Sequence, residues 1–110
     1  MLNVRYSAQF KKDFKRVKKR GYPLQELKRV IETLAQEQTL AERFHDHALN
    51  GDYASFRECH IRPDWLLIYK VSHTELLLTA QRTGTHSDLF DEWGCRRKQK
   101  IPETAPFYMQ

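Results

Sequence analysis

Apolar and polar positions alternate at the start of the chain, with Leu2 and Val4 separated by Asn3 and Arg5 and followed by Tyr6. A period of two over so short a run predicts a strand, and Ser7 behind it offers a side-chain oxygen to the first turn of a helix. The period then changes. Phe10, Phe14 and Val17 recur at i, i+4 and i+7 among lysines, which predicts an amphipathic helix ending near Gly21. Pro23 suits the first turn of a second helix, whose apolar face is Leu24, Leu27, Val30, Ile31 and Leu34 and which runs to about Gln38. Gly21 and Tyr22 join the two into a helical hairpin.

Residues 39–54 carry no period, Asn50-Gly51 is a strong turn dipeptide, and the stretch is expected to be a loop. Three strands follow, at residues 55–61, 65–71 and 75–82, separated by Arg62-Pro63-Asp64 and Ser72-His73-Thr74. Connections this short imply antiparallel neighbours. The middle run, Trp65-Leu66-Leu67-Ile68-Tyr69, is apolar on both faces, so it is expected to be central, with the helices over one side and the other side a floor for something else. On the first of the three strands, alternation puts Phe56, Glu58 and His60 on one face and Arg57, Cys59 and Ile61 on the other. Gly84 ends the last strand, and a short helix follows with Thr85 as its cap. Residues 91–110 show no usable period, and Pro102 and Pro106 argue against a long element there.

The composition sets bounds on this picture. With 110 residues, 40% of them hydrophobic and only four Gly and four Pro, the chain is one small domain with material for its own core. No apolar run approaches the roughly 18 residues that span a bilayer, and the N-terminus lacks the order of a signal peptide, so a cytoplasmic protein without membrane contact is expected. Cys59 and Cys95 are too few for a disulfide framework and form no CxxC motif, so both are expected to be reduced thiols.

The charge is unevenly spread. The net charge is +5, yet residues 1–29 hold ten Lys and Arg against two acids, a net of +8, and the remaining 81 residues come to −3. A basic first helix carrying Lys11, Lys12, Lys15, Arg16, Lys18 and Lys19 fits a polyanionic partner, although a solvated lysine face has the same look. Arg96-Arg97-Lys98-Gln99-Lys100 makes a second basic cluster.

Four histidines, His45, His47, His60 and His86, fall in or beside the loops that border the three strands, while His73 sits in a hairpin turn and faces solvent. Metal-free RNA cleavage needs a base for the ribose 2′-OH, cations for the phosphorane and an acid for the departing 5′-oxygen. Histidine suits both proton steps, with an unperturbed pKa of about 6.5, and arginine suits the phosphate through its planar fork. His47, His60, His86 and Arg82, with Glu58 and Asp64 as carboxylate partners, satisfy that list. Tyr69, Trp65 and Phe90 offer stacking surfaces for bases. Each also has a plainer role: a capping or surface histidine at His86, a strand-end histidine at His60, core aromatics at Trp65 and Tyr69, and an Arg82 that merely pairs with Asp88. The histidine spacing fits no standard metal-ligand pattern, and no GxGxxG, P-loop or GxSxG motif is present, so neither a metal nor another cofactor is expected.

Three strings carry more than spacing does: His45-Asp46-His47-Ala48-Leu49-Asn50-Gly51; Phe56-Arg57-Glu58-Cys59-His60-Ile61-Arg62-Pro63-Asp64-Trp65-Leu66-Leu67-Ile68-Tyr69-Lys70; and Arg82-Thr83-Gly84-Thr85-His86-Ser87-Asp88-Leu89-Phe90. Together, over residues 1–90, they closely resemble the YafQ branch of the RelE/ParE toxin superfamily. The resemblance implies a RelE-like α+β fold over residues 1–92, in which an N-terminal strand and a helical hairpin pack on an antiparallel sheet with a short C-terminal helix. Residues 93–110 would then be a basic tail longer than the usual family end. It also implies a type II toxin, a ribosome-dependent, metal-independent mRNA endoribonuclease that acts by 2′-OH attack and is neutralised by a cognate antitoxin. Operator DNA would be met only through the antitoxin complex.

By the same resemblance His47 and His60 match the family's loop and strand histidines, both candidates for the general base. Asp64 matches its active-site aspartate, Arg82 the phosphate ligand and His86 the general acid. Glu58, Trp65, Lys70 and Phe90 fall at substrate-side positions, Glu58 where aspartate is usual, and the basic first helix becomes a ribosomal RNA contact. The alternatives are a ParE-like toxin that inhibits gyrase without hydrolysis, which lacks this histidine set, and a toxin-fold protein kept only for binding.

Overall fold

Ser7 closes the N-terminal end of the first helix as its sequence position suggests, its Oγ accepting from the Phe10 amide at 2.9 Å. The computed structural model describes residues 1–91, apart from the side chains of Asp52, Phe90 and Asp91. In chain order the elements are β1 (Asn3–Tyr6), α1 (Ala8–Lys19), α2 (Leu24–Ala35), β2 (His47–Ala48), β3 (Arg57–Arg62), β4 (Trp65–Ser72) and β5 (Leu77–Gly84). Single helical turns stand at Glu42–Phe44, Gly51–Tyr53 and Ser87–Asp91. Both helices end in the same motif. The amides of Gly21 and Tyr22 return to the carbonyls of Lys18 and Val17, and those of Glu37 and Gln38 return to Leu34 and Thr33. Gly21 takes the left-handed position of the first end and Glu37 that of the second, which stops α2 at Ala35, short of the expected Gln38.

The strands form one sheet in the order β1-β5-β4-β3-β2. The pairs from β2 to β5 are antiparallel, as the short connections require, but β1 lies parallel to β5 on the far edge, so the sheet is mixed rather than wholly antiparallel. Two further expectations are corrected. The stretch expected to be all loop contributes β2, whose His47 and Ala48 pair with Glu58 and Arg57, and the last strand starts at Leu77 because Leu76 turns the hairpin at φ 51°.

β4 is central and divides the core. Its Trp65, Leu67 and Tyr69 meet Phe10, Val17, Leu27, Val30 and Leu34 of the helices. Leu66 and Ile68 point the other way, where Leu89 with Leu49, Tyr53 and Phe56 covers them. That side carries a second, smaller core built from the connections, and Glu58 and His60 of β3, opposite Ile68 and Leu66, share its face. Cys59 is fully buried on the helix side, where burial pushes its thiol up, away from reactivity. Among the described residues no helix is long and apolar enough to cross a membrane. Cys95, the basic run from Arg96 and the tail at residues 93–110 lie outside the described residues.

Candidate active site

Neighbouring strands carry one row of residues toward the site. His60 of β3 stands opposite Leu66 of β4, and Leu66 opposite Gly84 of β5, so the chain leaving β5 delivers His86 beside His60. On the outer side β2 sets His47 opposite Glu58. The ring centroids of His45, His47 and His86 lie 5.6, 6.3 and 5.7 Å from that of His60. Two imidazoles from connections and one from β2 thus lie around the His60 ring of β3.

Two carboxylates organise them. Glu58, 5% exposed on the predicted face of β3, holds its Oε1 3.2 Å from His47 Nε2 and 3.6 Å from His60 Nε2. His47 Nδ1 meets the His45 carbonyl at 2.7 Å, and since a carbonyl can only accept, the proton sits on Nδ1 and Nε2 is turned to the acid. Asp64, in the β3–β4 turn, accepts through Oδ1 from the His86 amide at 3.2 Å and from His86 Nδ1 at 2.9 Å. Backbone and ring are thereby fixed by one oxygen, and Nε2 becomes the outward nitrogen of the ring.

The turn bearing His86 is tied down on its other side. Thr85 Oγ1 accepts from the Asp88 amide at 3.1 Å, while Asp88 Oδ2 accepts from the Thr85 amide at 2.9 Å, a reciprocal cap that bears out Thr85 as the start of the turn. Arg20 binds Asp88 through both terminal nitrogens at 2.7 and 3.1 Å, and Arg16 adds a contact at 3.0 Å. Partial burial works to raise the Asp88 carboxyl, but the Arg20 guanidinium and the Thr85 amide outweigh it and hold the group well below the usual carboxylate range. Glycine is required at position 84, because a Cβ there would meet Asp88 Oδ2 at 2.9 Å and Asp88 Cβ at 3.0 Å.

Other expected residues stand elsewhere. Arg82 is 3% exposed, and its Nε and Nη2 reach Asp13 of α1 at 2.8 and 3.1 Å. Asp13 is thus a carboxylate partner of Arg82, and Asp88 binds Arg16 and Arg20. Trp65 is 2% exposed in the helix-side core, edge-on to Tyr22 and donating from Nε1 to Thr83 Oγ1 at 3.0 Å, so no substrate reaches its face. Lys70 lies four residues beyond Leu66 along β4, about 13 Å from the histidine row, with Nζ over the Phe56 ring. The Phe90 side chain is outside the described residues. Lys11, Lys12, Lys15, Lys18 and Lys19 are exposed on α1, whereas Arg16 is engaged with Asp88.

Three residues outside the expected catalytic set also shape the site. His45, left-handed at φ 48°, lies edge-on to His60. Asp46 accepts from the Tyr69 hydroxyl at 2.6 Å and from Arg57 Nε at 3.1 Å, which anchors the segment between the two loop histidines to β4 and β3. Burial and this bond push the Tyr69 hydroxyl up, keeping it protonated as a donor. Asp13 carried a signal, since it lies three residues after Phe10 and four before Val17, on the apolar stripe of a basic helix.

Residues 2–91 match the family model described as a bacterial toxin of type II toxin-antitoxin system, YafQ. The chain belongs to the YafQ toxin family. It is 39% identical over 89 residues, 80% of this chain and 95% of the relative, to the mRNA interferase toxin YafQ of Escherichia coli K12. Among solved structures, a metal-bound toxin from Helicobacter pylori is 44% identical with a TM-score of 0.78, covering 82% of this chain and 100% of that one. YafQ in the E. coli DinJ-YafQ complex is 37% identical with a TM-score of 0.75, covering 82% and 99%. These likenesses agree with the RelE-like α+β fold of the described residues.

Proposed function

We propose that this protein is the toxin of a type II toxin–antitoxin pair and an mRNA endoribonuclease that cuts translated messages on the ribosome by histidine acid–base chemistry. The observation that carries this reading is the packing of His47 and His86 around His60, each within about 6 Å, with Glu58 and Asp64 orienting the rings. A relative is named an mRNA interferase toxin, and a structural neighbour is the E. coli DinJ-YafQ toxin-antitoxin complex, which supports both activity and partner.

In the proposed reaction the ribose 2′-OH gives its proton to His60 or His47, whose neighbour Glu58 shares the resulting charge. The oxygen attacks phosphorus, and the 5′-oxygen leaves with a proton from His86, held in place by Asp64. The products are a 2′,3′-cyclic phosphate and a 5′-hydroxyl. Arg82 is assigned to the phosphorane charge, which requires its pair with Asp13 to loosen on binding. Matched proton transfers of this kind contribute roughly 10²–10⁴-fold each.

Among the described residues no three His, Cys, Asp or Glu side chains converge as a metal site, although a Helicobacter pylori relative is metal-bound. The test is mapping of RNA 5′ ends after brief induction of the wild type and His86→Ala, repeated on purified protein with programmed ribosomes and a chelator. In-frame cuts with 5′-hydroxyl ends, kept under chelation and lost in the variant, are expected. Growth arrest without new ends in either strain would refute the nuclease reading and point to a binding toxin of the gyrase-inhibiting kind.

A further inference from the structure

A groove of about 1100 Å³ opens from the histidine cluster and runs between α2, the Glu42–Phe44 turn and the outer edge of β3. It exists because β2 pairs only with Arg57 and Glu58, so no strand fills the space beside the rest of β3. His45, His47 and His60 form one end. The walls are basic. Arg62 is bound in bidentate fashion to Glu26, at 2.9 and 2.7 Å, which neutralises the acid that lines the groove. The Arg62 guanidinium holds the Glu26 carboxyl below its ordinary range, and Arg29 and Arg43 add to the effect, which marks both as close by. Neither Arg29 nor Arg43 has a carboxylate within ion-pair distance among the described residues. Arg43 Cζ lies 4.3 Å from the centroid of the Phe44 ring, so an exposed guanidinium is stacked on an aromatic face.

On the nuclease reading above, we infer that this groove holds the single-stranded RNA on one side of the cleaved phosphate, with Arg29 and Arg43 at backbone phosphates and the Arg43–Phe44 stack as the seat of a base. A polyanion with flat, unstacked bases matches all three features: surplus cations, a stacked planar platform and continuity with the reacting groups. The exposed lysines of α1 do not line this groove, so the strand being cut and any ribosomal contact through α1 use different faces of the molecule.

The test is binding of a fluorescein-labelled, 2′-O-methylated RNA oligonucleotide to the full chain by anisotropy, between 50 and 200 mM salt. Single-strand contacts contribute about 0.7 each to the slope of log K against log salt, so Arg29→Gln with Arg43→Gln should lower the slope by about 1.4. Phe44→Leu, which keeps an apolar filler, should weaken binding by about 5- to 140-fold with the slope unchanged. Lys28→Gln removes a charge from α2 outside the groove and should change neither quantity. A double arginine variant with wild-type affinity and slope would overturn the inference. So would wild-type protein that cuts translated mRNA yet does not bind the oligonucleotide, or groove variants that keep RNA binding and escape neutralisation by the antitoxin, which would give the groove to an acidic protein segment. Absence of cuts by the wild type would instead remove the parent reading.

Discussion

Trp65 and Asp13 show how one side chain can be decided by what surrounds it. Trp65 follows the aspartate that orients His86, yet its indole is packed under Tyr22 and bonded to Thr83, so its contribution is to stability. Trp65→Ala should lower unfolding free energy by about 3–5 kcal/mol, seen as a lower urea midpoint, while Trp65→Phe should keep cleavage. An alanine variant with wild-type stability and no activity would return Trp65 to the substrate side. Asp13 is the fully buried acid of a basic helix. β1 ends at Tyr6 beside Ala80, so the strand edge beyond it lacks a partner, and Asp13 Oδ2 supplies one by accepting from the Thr83 amide at 3.2 Å while gripping Arg82. Removing it takes from a buried guanidinium the carboxylate that holds it at two points. Asp13→Ala should cost about 3–5 kcal/mol, measured by chemical denaturation.

Among the elements, the turn after β5 carries the most consequence for the site, because it is short and held by charge. Asp88 joins it to Arg16 of α1 and to Arg20 at the end of that helix, so the His86 turn is tied to α1 by ion pairs. The folded Asp88 carboxyl is held below its unfolded value of about 3.9. Its stabilisation is therefore complete above that value and is lost as pH falls through the folded one. Asp88→Asn should melt lower than wild type at pH 6, by about 1.5–3 kcal/mol, and the difference should shrink between pH 4 and pH 3. A gap that stays constant over that range would show that the carboxylate charge is not what ties the turn. β2 shows the opposite economy, since two residues of pairing are enough to aim His47 at Glu58.

For the molecule as a whole, the lysines of α1 and the histidine cluster occupy separate regions. α1 packs on β5 and exposes its lysines, whereas the histidines gather at the β2–β3 side and the end of β5. If α1 meets ribosomal RNA, Lys11→Gln, Lys12→Gln and Lys15→Gln together should leave the melting temperature unchanged and raise the toxin concentration needed for half-maximal cutting of programmed ribosomes, most strongly at low salt. Equal half-maximal concentrations across salt would remove α1 from the interface.

The periodic elements and the pool of reactive groups are legible in the chain alone. Helix and strand periods record which face of each element avoids water, and alternation along β3 correctly set Glu58 and His60 on one face and Cys59 on the other. What those groups face is set by the folded arrangement. The row that brings His86 to His60 depends on registers across three strands, the burial of Arg82 depends on an acid 69 residues away, and the groove depends on where a two-residue strand stops. Local patterns encode solvent exposure, because that is settled within a few residues. Partners distant in the chain are chosen by packing, which no local pattern contains.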